Sequence, residues 1–186
     1  MPPRTRPGRV AAPLLSAVIV AGGLTGCSQL WPFSDCEGTE ARVKKLEERS
    51  LPLLTSPPPG ATSPRTVDGS VYAQCTQDSG YAWLSAGRIH VYAGSRQNVL
   101  DHYRKAAEAD GWKFEPEPWA RDEPMSACFT KNEDGEAKQL NVTFEGPAEF
   151  AEYYGQEAGL EFASGSGFRV EIGADVGRES VSCWGP

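Results

Sequence analysis

Histidine is almost missing from this chain: of 186 residues, only His90 and His102 carry an imidazole. A multi-histidine metal centre is therefore excluded, and histidine-based acid–base chemistry would have to run through one of two side chains. Basic residues are a minority too, 18 against 25 acidic ones, and the net charge of −7 argues against a nucleic-acid partner. No apolar run reaches the roughly 20 residues that a membrane-spanning helix needs. The run from Val10 to Leu24 is interrupted by Pro13, Ser16 and two glycines. No Cys-x-x-Cys occurs, which speaks against structural zinc and thioredoxin-type redox chemistry. GxSxG, HExxH, SxxK, Walker A and Rossmann glycine patterns are missing as well, so no cofactor is expected. Ser164-Gly165-Ser166-Gly167 precedes a strand rather than opening a helix, and reads as a loop.

What remains is ample for a folded domain. Hydrophobic residues make up 39% and aromatics 10%, more than a disordered chain carries, and the length suits one domain. The N-terminus reads as an address. Arg4, Arg6 and Arg9, with no acid among them, precede the short apolar run, as in a secretory signal peptide. The run ends in Leu24-Thr25-Gly26-Cys27, and here the chain resembles bacterial lipoprotein precursors, whose lipobox reads branched apolar, small, Gly or Ala, then Cys. The resemblance implies cleavage after Gly26 and a diacylglyceryl thioether on Cys27. Arg4 and Arg6 are not adjacent, so twin-arginine export is not indicated. Loss of residues 1–26 removes three arginines and leaves 15 basic residues against 25 acidic ones. Attachment to the membrane would then rest on the lipid and not on a basic patch.

Beyond Cys27, four cysteines remain: Cys36, Cys75, Cys128 and Cys183. An even number in an exported domain points to two disulfides, for which three connectivities exist. Cys36–Cys75 with Cys128–Cys183 is favoured, because each bond would staple a terminal segment onto the middle of the chain.

Residues 27–35 form a short tether; its eight residues from Ser28 to Asp35 reach about 27 Å at most. Its Trp31-Pro32-Phe33 is read as packing against the domain rather than resting at a membrane interface. Residues 36–186 are read as one α+β domain: an antiparallel sheet with one main helix on one face and an N-terminal helix. The N-terminal helix (36–50) stops before Pro52, and a Pro-rich connector (51–64) follows. Strands are expected at Ser70–Thr76, Tyr81–Leu84, Arg88–Tyr92, from Trp112 to Glu115, at Ala127–Lys131, Lys138–Glu145, Phe168–Ala174 and Val181–Trp184. Ser95 caps a helix from Arg96 to Asp110 with Val99, Leu100, Tyr103, Ala106 and Ala107 on its apolar side, and a short helix follows over Pro147–Gly159.

Alternation along the strands predicts one buried and one wet face. Leu140, Val142 and Phe144 oppose Asn141, Thr143 and Glu145; Phe168, Val170 and Ile172 oppose Arg169 and Glu171; Ile89 and Val91 oppose Arg88, His90 and Tyr92. The polar set, Arg88, His90, Tyr92, Asn141, Thr143, Glu145, Arg169 and Glu171, is the candidate binding face. His102 reads as a boundary residue, and Asn132 to Glu136 as a solvated hairpin turn without calcium-loop spacing. Trp112, Phe114 and Trp119 interleave with Glu115, Glu117, Asp122 and Glu123, a mixture that can hold sugars or cations; a strand edge and a Pro-rich loop explain it more simply.

From the connector to Gly111-Trp112, the ordering loosely resembles uncharacterised envelope lipoproteins of high-GC Gram-positive bacteria: Pro-Pro-Gly, a Cys-bearing strand, then a helix with Tyr103-Arg104. The likeness brings no catalytic residue. The function expected is a non-enzymatic binding or interaction module, lipid-anchored on the outer side of the cell membrane, with an envelope protein or the cell wall as partner. The alternative is a small cell-wall hydrolase.

Overall fold

The computed structural model describes residues 35–118, 125–155, 166–177 and 181–184. The expected signal segment, Cys27, the tether up to Ser34, Trp119, Asp122 and Glu123, and the 156–159 end of the third expected helix lie outside them.

Six strands form one antiparallel sheet in the order β1-β2-β6-β5-β4-β3. They are β1 (Tyr72–Asp78), β2 (Tyr81–Tyr92), β3 (Lys113–Glu115), β4 (Ser126–Glu133), β5 (Glu136–Glu145) and β6 (Ser166–Asp175). Two helices, α1 (Glu40–Leu54) and α2 (Arg96–Ala109), share one core with one face of this sheet, and a third, α3 (Pro147–Tyr154), meets the other face. The class is α+β, as the strand alternation predicts. Leu140, Val142 and Phe144 of β5 and Phe168, Val170 and Ile172 of β6 are buried under α1 and α2.

α2 matches its sequence signals at both ends. The Ser95 hydroxyl accepts the Asn98 N–H at 3.3 Å, and Val99, Leu100, Tyr103 and Ala107 are buried. After Gly111 the chain turns back, and the Trp112 N–H donates to the Ala107 carbonyl while its ring is buried against the same core.

α1 departs from expectation: it runs through Pro52 to Leu54. Proline there costs only the bond to the Glu48 carbonyl, on a solvent-facing turn, whereas Leu54 beyond it is wholly buried. Apolar burial thus extends the helix by one turn. Five cations and four acids hold α1 and the end of α2 to the β4–β5 hairpin. Arg42 pairs with Glu136 at 2.6 Å, Lys45 with Asp134 at 3.3 Å, and Arg49 with Glu133 and Asp134 at 2.8 and 3.0 Å. Lys138, only 4% exposed, donates to Glu133 at 2.6 Å, and Lys131 joins Glu133 to Asp110. The turn is Asp134-Gly135, both at positive φ (56° and 80°), as a tight hairpin requires. Its acids are ion-paired rather than merely solvated.

The expected strands 81–84 and 88–92 are one continuous strand, β2. Ser85-Ala86-Gly87 is not a turn: the small side chains leave room for partners on both faces. Ala86 is fully buried in the helix-side core, and a Cβ on Gly87 would meet the Tyr72 ring 2.5 Å away at Cζ. Val181–Trp184 is not a strand; it is a turn segment held by Cys183. The disulfides join Cys36 to Cys75 and Cys128 to Cys183, with Cα–Cα distances of 5.7 and 5.8 Å.

Candidate functional site

Strand pairing sorts the eight residues of the expected polar face into two sets. Asn141, Thr143 and Glu145 of β5 share the face opposite α1 and α2 with Arg169 and Glu171 of β6. Arg88, His90 and Tyr92 do not join them. Arg88 is registered with Val170, and His90 with Phe168, so all three point to the helix side. His90 is buried to 1% exposure, stacks on Phe168 at 5.1 Å between ring centroids, and its Nε2 lies 3.2 Å from the Leu54 carbonyl. Burial, with Arg88 nearby, lowers its pKa to about 4, so the ring is neutral. Arg88 donates to the Gly69 carbonyl and the Ser63 hydroxyl, clasping the connector, and Tyr92 packs on the core rim. The reason is that β2 is buried on both faces: Leu84 and Ala86 face α1, while Ile89 and Val91 pack with Phe150 of α3 and Val67. A strand apolar on both sides does not announce its orientation.

The face that remains is a strip along β6. Three successive rows cross it: Ser85–Gly173–Gln139, Gly87–Glu171–Asn141 and Ile89–Arg169–Thr143. Two aromatic rings lie on its β1–β2 side, each over a glycine. The indole of Trp83 occupies the space where a Gly173 Cβ would sit, and the Tyr72 phenol does the same over Gly87. Both rings are partly exposed. Opposite them, the Gln139 amide donates to Asn141 Oδ1 at 3.1 Å.

Between the two rails sit charges. The Tyr72 hydroxyl donates to Glu171 at 2.5 Å, and Arg169 pairs with Glu145 at 2.9 Å. Burial and the Glu171 carboxylate push the Tyr72 pKa up. Burial also raises the pKa of Glu145 despite Arg169, and the neighbouring Glu149 and Glu171 add to the effect. Burial works against the charge on Arg169, but Glu145 and Glu171 outweigh it and hold the guanidinium protonated. The Glu145 side chain is 10% exposed, and among the described residues its buried Oε2 has no hydrogen-bond partner.

The strip has defined borders. At the Glu145 end, α3 lays Phe150 on Ile89. On the β4 side, the Cys128–Cys183 bond holds residues 181–184, and the Cys183 N–H donates to Glu115. Beside that segment, Lys113, Thr130, Asn132, Ala137 and Val181 line a cleft of about 390 Å³. Gln139 continues the alternation of Asn141, Thr143 and Glu145, whereas Trp83 and Tyr72 escape a reading by polar alternation. Their signal in the sequence is the pair of strand glycines, Gly87 and Gly173, which lie under the rings.

The Nε2 atoms of both imidazoles face backbone carbonyls, His90 that of Leu54 and His102 that of Ser56 at 2.7 Å. Among the described residues no group of three or more His, Cys, Asp or Glu side chains is placed to hold a metal ion, and no helix is long and apolar enough to cross a membrane. No protein-family model matches the chain, and no curated protein or solved structure matches it significantly.

Proposed function

We propose that this chain is an extracytoplasmic lipoprotein, anchored to the cell membrane through lipid on Cys27, whose α+β domain is a binding module of the envelope. The observation that carries the reading is Leu24-Thr25-Gly26-Cys27 behind a basic and then apolar segment. Support comes from the two disulfides, which persist in oxidising compartments. The β6 strip supplies a partly exposed polar and aromatic surface on a rigid sheet. For the hydrolase alternative, neither histidine offers a free Nε2 as general base, since both lie against backbone carbonyls.

Substituting Cys27→Ser tests the anchor. The variant is expected to move from the detergent phase to the medium or to accumulate as an uncleaved precursor. Unchanged partitioning of that variant into the detergent phase would refute lipidation.

A further inference from the structure

We infer that the β6 strip is a binding platform for an uncharged polysaccharide chain, with Trp83 and Tyr72 as stacking surfaces and Gln139, Asn141, Thr143 and Glu171 as hydroxyl partners. The inference rests on the envelope-module reading and gives it a ligand class. A pyranose ring has an apolar C–H face and a rim of hydroxyls. It is met by a flat ring beneath and planar amides or carboxylates at the side, and the strip has both. The indole and the phenol lie over Gly173 and Gly87, where any Cβ would displace them. The amide pair Gln139–Asn141 stands across from them on β5.

Charge selects among saccharides. The rows from Trp83 to Glu145 hold three carboxylates, Asp175, Glu171 and Glu145, and one guanidinium, Arg169, which is already paired with Glu145. A polyanionic glycan would meet an excess of acceptors and negative charge. Length also has a reading: α3 covers Ile89 and Val91, so the open rows run from Trp83 to Gly87, four residues apart along β2, a span of about 13 Å at strand rise.

The test is calorimetric titration of the full chain in detergent micelles with β-1,4-linked N-acetylglucosamine oligomers of two, four and six rings, and with hyaluronate as the polyanion. Binding is expected to tighten from two to four rings and to gain little beyond the span of the strip; hyaluronate is expected not to bind. Trp83→Ala should weaken binding by tenfold or more, and Trp83→Phe should restore most of it. Gly173→Val should act like Trp83→Ala, and Gln139→Ala/Asn141→Ala, which alters only partly exposed side chains, guards against misfolding as the cause of any loss. Circular dichroism and the absence of free thiols report folding of each variant. No binding of any oligomer, binding indifferent to Trp83 and to the amide pair, or preference for hyaluronate would overturn the inference. If the oligomers fail while Cys27→Ser still releases the protein, only the ligand class falls and the anchored module stands.

Discussion

His90 is a polar side chain kept neutral by its surroundings, and stability should record it. The groups facing it are Phe168 on the neighbouring strand, the Leu54 carbonyl of α1 and the Arg88 guanidinium on its own strand. Its pKa of about 4 in the fold lies below the 6.5 of an unfolded chain. The unfolded state therefore binds the proton more readily. The contribution is complete above pH 6.5 and declines as pH falls, until it is lost below about 4. Between pH 7 and pH 5 the expected loss is about 2 kcal/mol, read from urea midpoints at the two values. In His90→Phe that pH-dependent part should vanish, whatever the variant's absolute stability. Glu133 titrates in a separate window: hydrogen bonds from Lys138 and Arg49 lower its pKa to about 2, so its share is held above the ordinary carboxylate range and lost only in stronger acid. A wild-type chain with equal stability at pH 7 and pH 5 would contradict the buried, neutral His90.

Helices and hairpin carry the energetic weight at the next scale. Leu100 is 5% exposed between α2 and the sheet, and Leu100→Ala should cost about 2–5 kcal/mol in thermal or urea unfolding. The hairpin clasp behaves differently. Glu133→Gln would leave the buried Lys138 ammonium with only Glu136, 3.9 Å away, at a cost of about 1–3 kcal/mol. Lys138→Met combined with Glu133→Gln should recover most of that loss, since an apolar stem needs no counter-charge. A double variant no more stable than Glu133→Gln alone would show that the pair is not coupled. The elements themselves divide by how many faces they bury. α2, β5 and β6 are legible because each has one apolar side and clear stop or cap signals, Ser95 and Gly111 among them. β2 is not, because both of its faces are covered and its small residues look like a turn. The last turn of α1 is missed for a related reason: proline is a local signal, while the burial of Leu54 is a tertiary one.

In the whole molecule the two disulfides lie on opposite faces of the sheet. Cys75 points to the helix side and ties the start of α1 to the edge strand β1; Cys128 points to the other side and ties 181–184 beside β3 and β4. Half of the candidate site was legible from alternation, namely Asn141, Thr143, Glu145, Arg169 and Glu171; its aromatic half was not, because rings seated on glycines leave no periodic mark. The staples differ in what else holds their segments. α1 retains Leu46, Leu54 and three ion-paired cations if Cys36–Cys75 is lost. The 181–184 segment has, besides its disulfide, the hydrogen bond from the Cys183 N–H to Glu115. The bonds close sequence separations of 39 and 55 residues, for which chain entropy alone allows about 4 kcal/mol each. Alkylation of the folded, unreduced protein should find no free thiol at Cys36, Cys75, Cys128 or Cys183; four reactive thiols would refute both bonds. Cys128→Ser with Cys183→Ser should lower stability by about 2–4 kcal/mol, and hydrogen exchange should show lost protection confined to 181–184 and the neighbouring edge of β3 and β4. Protection should persist in β5 and β6, because the strip rests on the continuous core beneath them and not on the staple at its border. Loss of protection spreading through β6 would show instead that the C-terminal segment supports the whole face.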